Sequence, residues 1–230
     1  MAVRALLFDL DGTLLDTLSD IARVANRVLA RHRLPTHATD AYRMMVGSGM
    51  RELVCRAVGV RDSGREPSDA LIDRLVAEIK DEYAREPVVL TKPYDGIADA
   101  LAELRAIAGG AIGFAVLSNK PDPLVRRIVD AFFAPDAFCH AVGQRPDYPA
   151  KPDPASLIHL VALMDPPGRA LYVGDSDVDV QTARAAGVGS VGAAWGFRGR
   201  DELEESGADW VIDRPEELVA IVRSLEEQHE

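Results

Sequence analysis

The sequence predicts an α/β protein: a doubly wound parallel sheet, interrupted near its start by a small all-helical unit. Three observations carry this expectation. From Pro93 onward, short apolar runs alternate with amphipathic helical patterns, which specifies a parallel sheet covered on both faces. Between residues 16 and 92 every periodic segment is helical. The apolar run Leu6-Leu7-Phe8 lies on the N-terminal side of that helical stretch, so the chain leaves the sheet after one strand and returns to complete it. The expected division is therefore residues 1–15 and 93–230 for the sheet-bearing core and 16–92 for the helical insert.

Taken in order, the opening strand ends at Asp9 and Asp11, and Gly12 closes the extended segment. Thr17 and Asp20 give the [ST]-x-x-[DE] pattern of a helix start, and Leu18, Ile21, Ala22, Ala25, Val28 and Leu29 recur at helical spacing up to Leu34-Pro35. Thr39 begins a second, short helix through Met45. Gly47-Ser48-Gly49 interrupts the pattern, Met50 to Val58 resumes it, and Ser68 caps a longer helix that ends before Pro87. In the core, Ile97 to Leu104 reads as a helix, Ala111 to Leu117 as a buried strand and Leu124 to Val129 as a helix. A weaker strand at Phe138 to Val142 precedes a Pro-rich loop from Pro146 to Pro154. A helix from Ala155 to Met164, a strand from Ala170 to Val173, a helix from Val180 to Ala186, and strands at Val188 to Ala193 and Trp210 to Ile212 follow. A helix from Pro215 towards Leu225 closes the chain, and Glu226 to Glu230 form a frayed tail.

Composition narrows the function. The chain has 230 residues, 47% hydrophobic and 27% charged, ordinary for a soluble enzyme. The net charge of −11 argues against nucleic-acid binding. Its distribution is uneven: residues 16–92 carry a net +1 and the remainder −12. An acidic body takes an anionic substrate only where a metal and a few placed cations reverse the local field. No signal peptide or membrane-spanning run is expected. Cys55 and Cys139 read as buried free thiols, which places the protein in a reducing cytoplasm.

Chemistry concentrates where the predicted strands end, since ligands of such sheets bind at the carboxyl ends of the strands. Asp9 and Asp11, two apart on a strand, point the same way. An acidic turn is the plain reading; a divalent cation bound by the pair is the functional one. Asp175, Asp177 and Asp179 in GDSDVDV follow a strand and precede a helix. One acid suffices to cap a helix, whereas three beside the first pair repel without a cation. Ser118-Asn119 either makes an ordinary turn or offers a hydroxyl and an amide to phosphate oxygens. Lys151, flanked by prolines in Ala-Lys-Pro-Asp-Pro, is either surface or a fixed cation that offsets carboxylate and phosphoryl charge.

Together these four stretches resemble the haloacid dehalogenase (HAD) superfamily, in order, spacing and position, over the whole chain. DLDGT is similar to its first motif, Ser118 to the second, Lys151 to the third and GDSDVD to the fourth. The insert matches the position of that family's α-helical cap domain on a Rossmann-like core, and VGSGMREL resembles the substrate-facing loop of the phosphoglycolate phosphatase branch. The resemblance implies a Mg²⁺-dependent phosphatase acting on a small phosphorylated metabolite through an aspartyl-phosphate. It implies Asp9 as nucleophile, Asp11 as general acid/base, and Asp9, Asp11 (through its carbonyl) and Asp175 as metal ligands. Asp179 supports them; Thr13, Ser118, Asn119, Lys151 and Arg51 make up the phosphate- or substrate-binding set. Asp11 favours phosphatase over dehalogenase chemistry, because only a phosphate ester needs its leaving oxygen protonated. A β-phosphoglucomutase-type mutase, a nucleotidase or pyrophosphatase, and a non-catalytic binding module are the alternatives. A monomer or homodimer is expected.

Overall fold

The computed structural model describes residues 2–59, 67–107, 112–164 and 168–227. Its centre is the strand β1 (Val3–Phe8), whose apolar side chains are buried on both faces. Such a strand needs cover on each side. Leu6 and Phe8 pack into one core cluster with Phe114, Val116, Leu171, Val173, Ile128 and Val222, while Ala5 and Leu7 face the other with Ala115, Leu117, Tyr172, Leu157 and Ala183. The two-residue alternation of a strand makes this partition.

β1 pairs in parallel with β4 (Gly113–Pro121) and β6 (Arg169–Gly174), with Phe8 opposite both Val116 and Val173. β5 (His140–Gln144), β7 (Gly189–Ala193) and β8 (Trp210–Ile212) extend the sheet to the order β5-β4-β1-β6-β7-β8, parallel throughout. The connecting helices are α4 (Ile97–Ile107), α5 (Asp122–Phe132), α6 (Ala155–Leu163), α7 (Asp177–Ala186), α8 (Arg200–Glu205) and α9 (Glu216–Glu227). The expected α/β, doubly wound parallel sheet is thus the observed architecture.

After β1 the chain passes through β2 (Leu15–Asp16) into α1 (Leu18–Arg31), a 3-10 helix (Thr39–Met44), α2 (Met50–Val58) and α3 (Asp69–Arg85), and returns through β3 (Lys92–Pro93). β2 and β3 pair antiparallel, Leu15 opposite Pro93 and Asp16 opposite Lys92, so the outgoing and returning chains run side by side. No helix among the described residues is long and apolar enough to cross a membrane.

Several local expectations are corrected. Residues 16–92 are not free of strand, since this ribbon sits at both ends. The short second helix is 3-10 rather than α. The helix Arg200–Glu205 carries no sequence signal: of its six residues Leu203 alone is apolar, too few to show a period. β4 starts at Gly113, Ala111 lying outside the described residues, and it runs on through Ser118 to Pro121. Glu226 and Glu227 belong to α9, and the rest of the expected tail lies outside the described residues. The cysteines are free but not buried; Cys139 is exposed and Cys55 half-buried.

The Thr17/Asp20 capping pair does not form. Thr17 occupies the N-cap position of α1 but makes no capping bond; its Oγ1 donates instead to Asp11 Oδ1 at 2.6 Å. Asp20, fully buried, turns to the returning chain. Its Oδ2 accepts from the amides of Val89, Leu90 and Thr91 at 3.0, 2.8 and 2.9 Å and from Thr91 Oγ1 at 2.8 Å. Long-range partners outcompete the local cap at both residues.

Candidate active site

The three central strands β4, β1 and β6 end side by side, which brings four sequence-distant segments together. Asp9 follows β1 directly, and its amide donates to Val173 O at 2.9 Å. Asp175 follows β6, Asp179 lies in the first turn of α7, and Lys151 enters from the loop after β5. Asp9, Asp175 and Asp179 each offer a carboxylate oxygen within 4.8 Å of the others, and all three are buried.

The contacts give these groups unequal freedom. Lys151 Nζ lies 2.6 Å from Asp179 Oδ1, 2.9 Å from the Tyr172 hydroxyl and 3.0 Å from Asp9 Oδ1. Its three donors are therefore all engaged. Asp179 Oδ2 accepts from Ser176 N at 3.1 Å and Ser176 Oγ at 2.7 Å, so both its oxygens are occupied. Asp9 Oδ1 also accepts from Leu10 N at 2.7 Å, and Asp175 Oδ2 accepts from Phe197 N at 2.7 Å. Asp9 Oδ2 and Asp175 Oδ1 receive no hydrogen bond among the described residues.

Burial of this cluster is electrostatically costly. Desolvation raises the Asp9 pKa to about 7, with Asp179 and Asp11 adding to the rise and Lys151 opposing it. Burial, then the charges of Asp179 and Asp9, push Asp175 well above the usual carboxylate range. Lys151 moves in the direction of a firmer cation: burial alone would lower it, but Asp179 and Asp9 outweigh that.

Asp11 stands apart from this trio. Lys120 Nζ contacts both its carboxylate oxygens at 2.9 Å, and Thr17 Oγ1 holds Oδ1. Lys120 is 6% exposed and lies over the Tyr83 ring, 4.5 Å from its centroid. Sequence reasoning missed it. The available signal was a lysine continuing a buried strand, where lysine is rare unless paired. The two acids of DLDGT thus have separate lysine partners, Lys151 for Asp9 and Lys120 for Asp11.

Not every anticipated residue joins the site. Ser118 lines the cavity in front of these groups. Asn119 lines it too, but its amide is committed to structure: Nδ2 donates to Gly47 O and Lys151 O, and Oδ1 accepts from Lys151 N. Thr13, expected among the phosphate-binding residues, does not line this cavity. It is fully buried on the far side, beside Phe8, Ile97 and Trp195, with its carbonyl accepting from Trp195 Nε1 at 3.0 Å. Arg51, expected to contact substrate, is exposed on α2, paired with Asp69 and Asp73 of α3, and does not line the cavity. It lies two residues past the Gly47-Ser48-Gly49 bend, and the acids it pairs with are exposed.

The cavity is open to solvent and has two unlike walls. Asp9, Asp11, Asp175, Ser118 and Lys120 form the sheet side; Ile21, Val46, Met50, Leu53 and Tyr83 form the helical side. On the sheet side, among the described residues, the buried Asp9, Asp11, Asp175 and Asp179 face two buried lysines, Lys120 and Lys151. The imbalance of two negative charges matches one divalent cation, and an all-oxygen donor set suits a hard one. Asp9 and Asp175, each with an uncommitted oxygen, fit as its carboxylate ligands.

The model of the haloacid dehalogenase-like hydrolases matches residues 3–187. This chain belongs to that family. A phosphoglycolate phosphatase of Pseudomonas putida is 35% identical over 211 residues, covering 91% of this HAD-like hydrolase and 76% of the relative. An N-acetylmuramic acid 6-phosphate phosphatase of Pseudomonas aeruginosa is 32% identical, covering 96% of each chain. Among solved structures, a predicted phosphoglycolate phosphatase of Haemophilus somnus superposes with a TM-score of 0.84 at 26% identity, covering 95% of this chain and 97% of its own.

Proposed function

We propose that this HAD-like hydrolase is a Mg²⁺-dependent phosphatase that releases phosphate from a small monoester, with 2-phosphoglycolate the leading candidate. The single observation that carries the reading is the unequal commitment of the buried acids. Asp9 keeps one oxygen uncommitted while Lys151 fixes the other, which suits an in-line nucleophile. Asp11 sits outside the trio at the cavity wall, which suits a proton shuttle.

In this reading one carboxylate oxygen of Asp9 attacks phosphorus while the other stays with Lys151 and the metal position, the bond from phosphorus to the ester oxygen breaks, and Asp11 gives that oxygen its proton. Asp11 then takes a proton from water as the water attacks phosphorus and the aspartyl-phosphate opens. Lys151 neutralises Asp9 and meets the charge on the transferring group, with Asp179 and Tyr172 holding its ammonium in place. Ser118 offers its hydroxyl to a phosphoryl oxygen. A bound Mg²⁺, held by Asp9, Asp175 and the Asp11 carbonyl, would offset the excess negative charge and polarise the phosphoryl group. Residues 16–92 act as a cap whose apolar face selects the leaving group.

A second substrate reading is N-acetylmuramic acid 6-phosphate. The relative of that name matches this chain over nearly its whole length, and the apolar helical wall suits a larger leaving group than glycolate.

The test is phosphate release with Mg²⁺ from phosphoglycolate, N-acetylmuramic acid 6-phosphate, nucleotides, pyrophosphate and sugar phosphates. Asp9→Asn is expected to lose at least about 10³-fold in turnover, and chelation to abolish it. Substantial activity in Asp9→Asn removes the nucleophile assignment; an isomerised sugar phosphate without released phosphate makes the enzyme a mutase.

A further inference from the structure

We propose that Lys120 and Tyr83 form a carboxylate-recognition site for the leaving group, so that the enzyme selects phosphate esters of small 2-hydroxy acids. The inference rests on the phosphatase reading and deepens it.

Most polar groups on the cavity wall are already satisfied. Asn119 spends its amide on Gly47 and Lys151, Ser176 donates to Asp179, and Arg198 pairs with Glu202 while donating to Val46 O. Lys120 and Tyr83 differ. Lys120 carries three donors, and Asp11 takes two of them. The Tyr83 hydroxyl is buried with no hydrogen-bond partner among the described residues, although a buried hydroxyl ordinarily has one. Both residues line the same cavity, and the ammonium sits over the Tyr83 ring at 4.5 Å. One ammonium donor and one orphan hydroxyl side by side match the two oxygens of a carboxylate.

Placement adds the chain length of the substrate. In a 2-hydroxy acid one carbon separates the ester oxygen from the carboxylate. The group that protonates the first and the cation that holds the second must then be neighbours, as Asp11 and Lys120 are. Residues of the insert and the core meet here, Tyr83 on α3 and Lys120 on β4, so recognition of this anion needs both. An acid whose carboxylate lies many bonds from the ester oxygen would not reach.

The experiment compares 2-phosphoglycolate with 2-hydroxyethyl phosphate, which replaces the carboxylate by a neutral alcohol. The wild type is expected to favour phosphoglycolate in kcat/KM. Lys120→Met should reduce that preference by about 10- to 100-fold, chiefly through KM for phosphoglycolate. Lys120→Arg should restore part of it. Tyr83→Phe, which removes the hydroxyl and keeps the ring beneath the Lys120 ammonium, should reduce it by about 3- to 10-fold. A preference unchanged within about twofold in Tyr83→Phe and in a turning-over Lys120→Met overturns the inference alone. Were the wild type to release phosphate from neither ester nor any other on the panel, the phosphatase reading itself would fall. Where Lys120→Met loses all turnover, Tyr83→Phe decides.

Discussion

Asp20 is where the helical insert is tied back to its own exit. Replacing it with alanine strips four donors from one carboxylate oxygen. Val89 and Leu90 are each 54% exposed, so their amides regain water. Thr91 is 8% exposed, so its amide and hydroxyl stay buried and unpaired, at about 1–3 kcal/mol each. Asp20→Ala is therefore expected to cost about 2–5 kcal/mol, a fall of roughly 1 M in urea midpoint. Asp20→Asn keeps an acceptor and should cost about 1–2 kcal/mol. The pH dependence follows from the carboxylate's pKa. Burial would raise it, but the Val89, Leu90 and Thr91 donors outweigh burial and hold it below the usual 3.8. A depressed folded-state pKa gives stability that is present above the unfolded value and lost as pH falls through the folded one. The gap between wild type and Asp20→Asn should thus be full at neutral pH and close below about pH 4. Urea titrations of all three proteins from pH 7 downward test this. A gap independent of pH, or an alanine variant as stable as wild type, would refute the reasoning.

Two further outcomes follow from the site. Asn119→Ala removes the amide that joins Gly47 to both backbone groups of Lys151; phosphate-release kinetics should show kcat down by about 10- to 100-fold, since a displaced Lys151 misaligns Asp9. Arg51→Ala breaks only exposed pairs with Asp69 and Asp73, so a thermal melt should move by no more than about 2 °C and the ratio of rates on charged and uncharged esters should hold. A changed ratio would return Arg51 to the substrate.

The sequence made legible whatever depends on local pattern. Apolar runs located the sheet, and strand-end acids located Asp9, Asp11, Asp175 and Asp179. What it could not show were choices between partners. Thr17 and Asp20 satisfy a capping rule, yet each binds a distant group, because a buried acceptor facing three free amides outweighs a single cap bond. Lys120 reads as an ordinary strand-end lysine until Asp11 is seen beneath it. Arg51 was drawn towards the cavity by its place after a glycine turn, but the rotation of α2 and the acids of α3 decide where its guanidinium lies. Thr13, adjacent to the acids in sequence, faces away because Gly12 turns the chain between them.

Two glycines pack against Asp175. A Cβ on Gly12, whose φ is +86°, would lie 2.1 Å from Asp175 Oδ2, and one on Gly196 would lie 2.3 Å from Asp175 Cβ and 2.5 Å from Gly12 O. No side chain of any size fits at either position without moving the acid. The opposite wall is built from Ile21, Val46, Met50 and Leu53, apolar groups that exchange for one another at modest cost. The molecule is therefore evolvable in one direction only: a lineage can drift among leaving groups by repainting the helical wall, while the phosphoryl-transfer end stays frozen by packing before selection on catalysis is even considered.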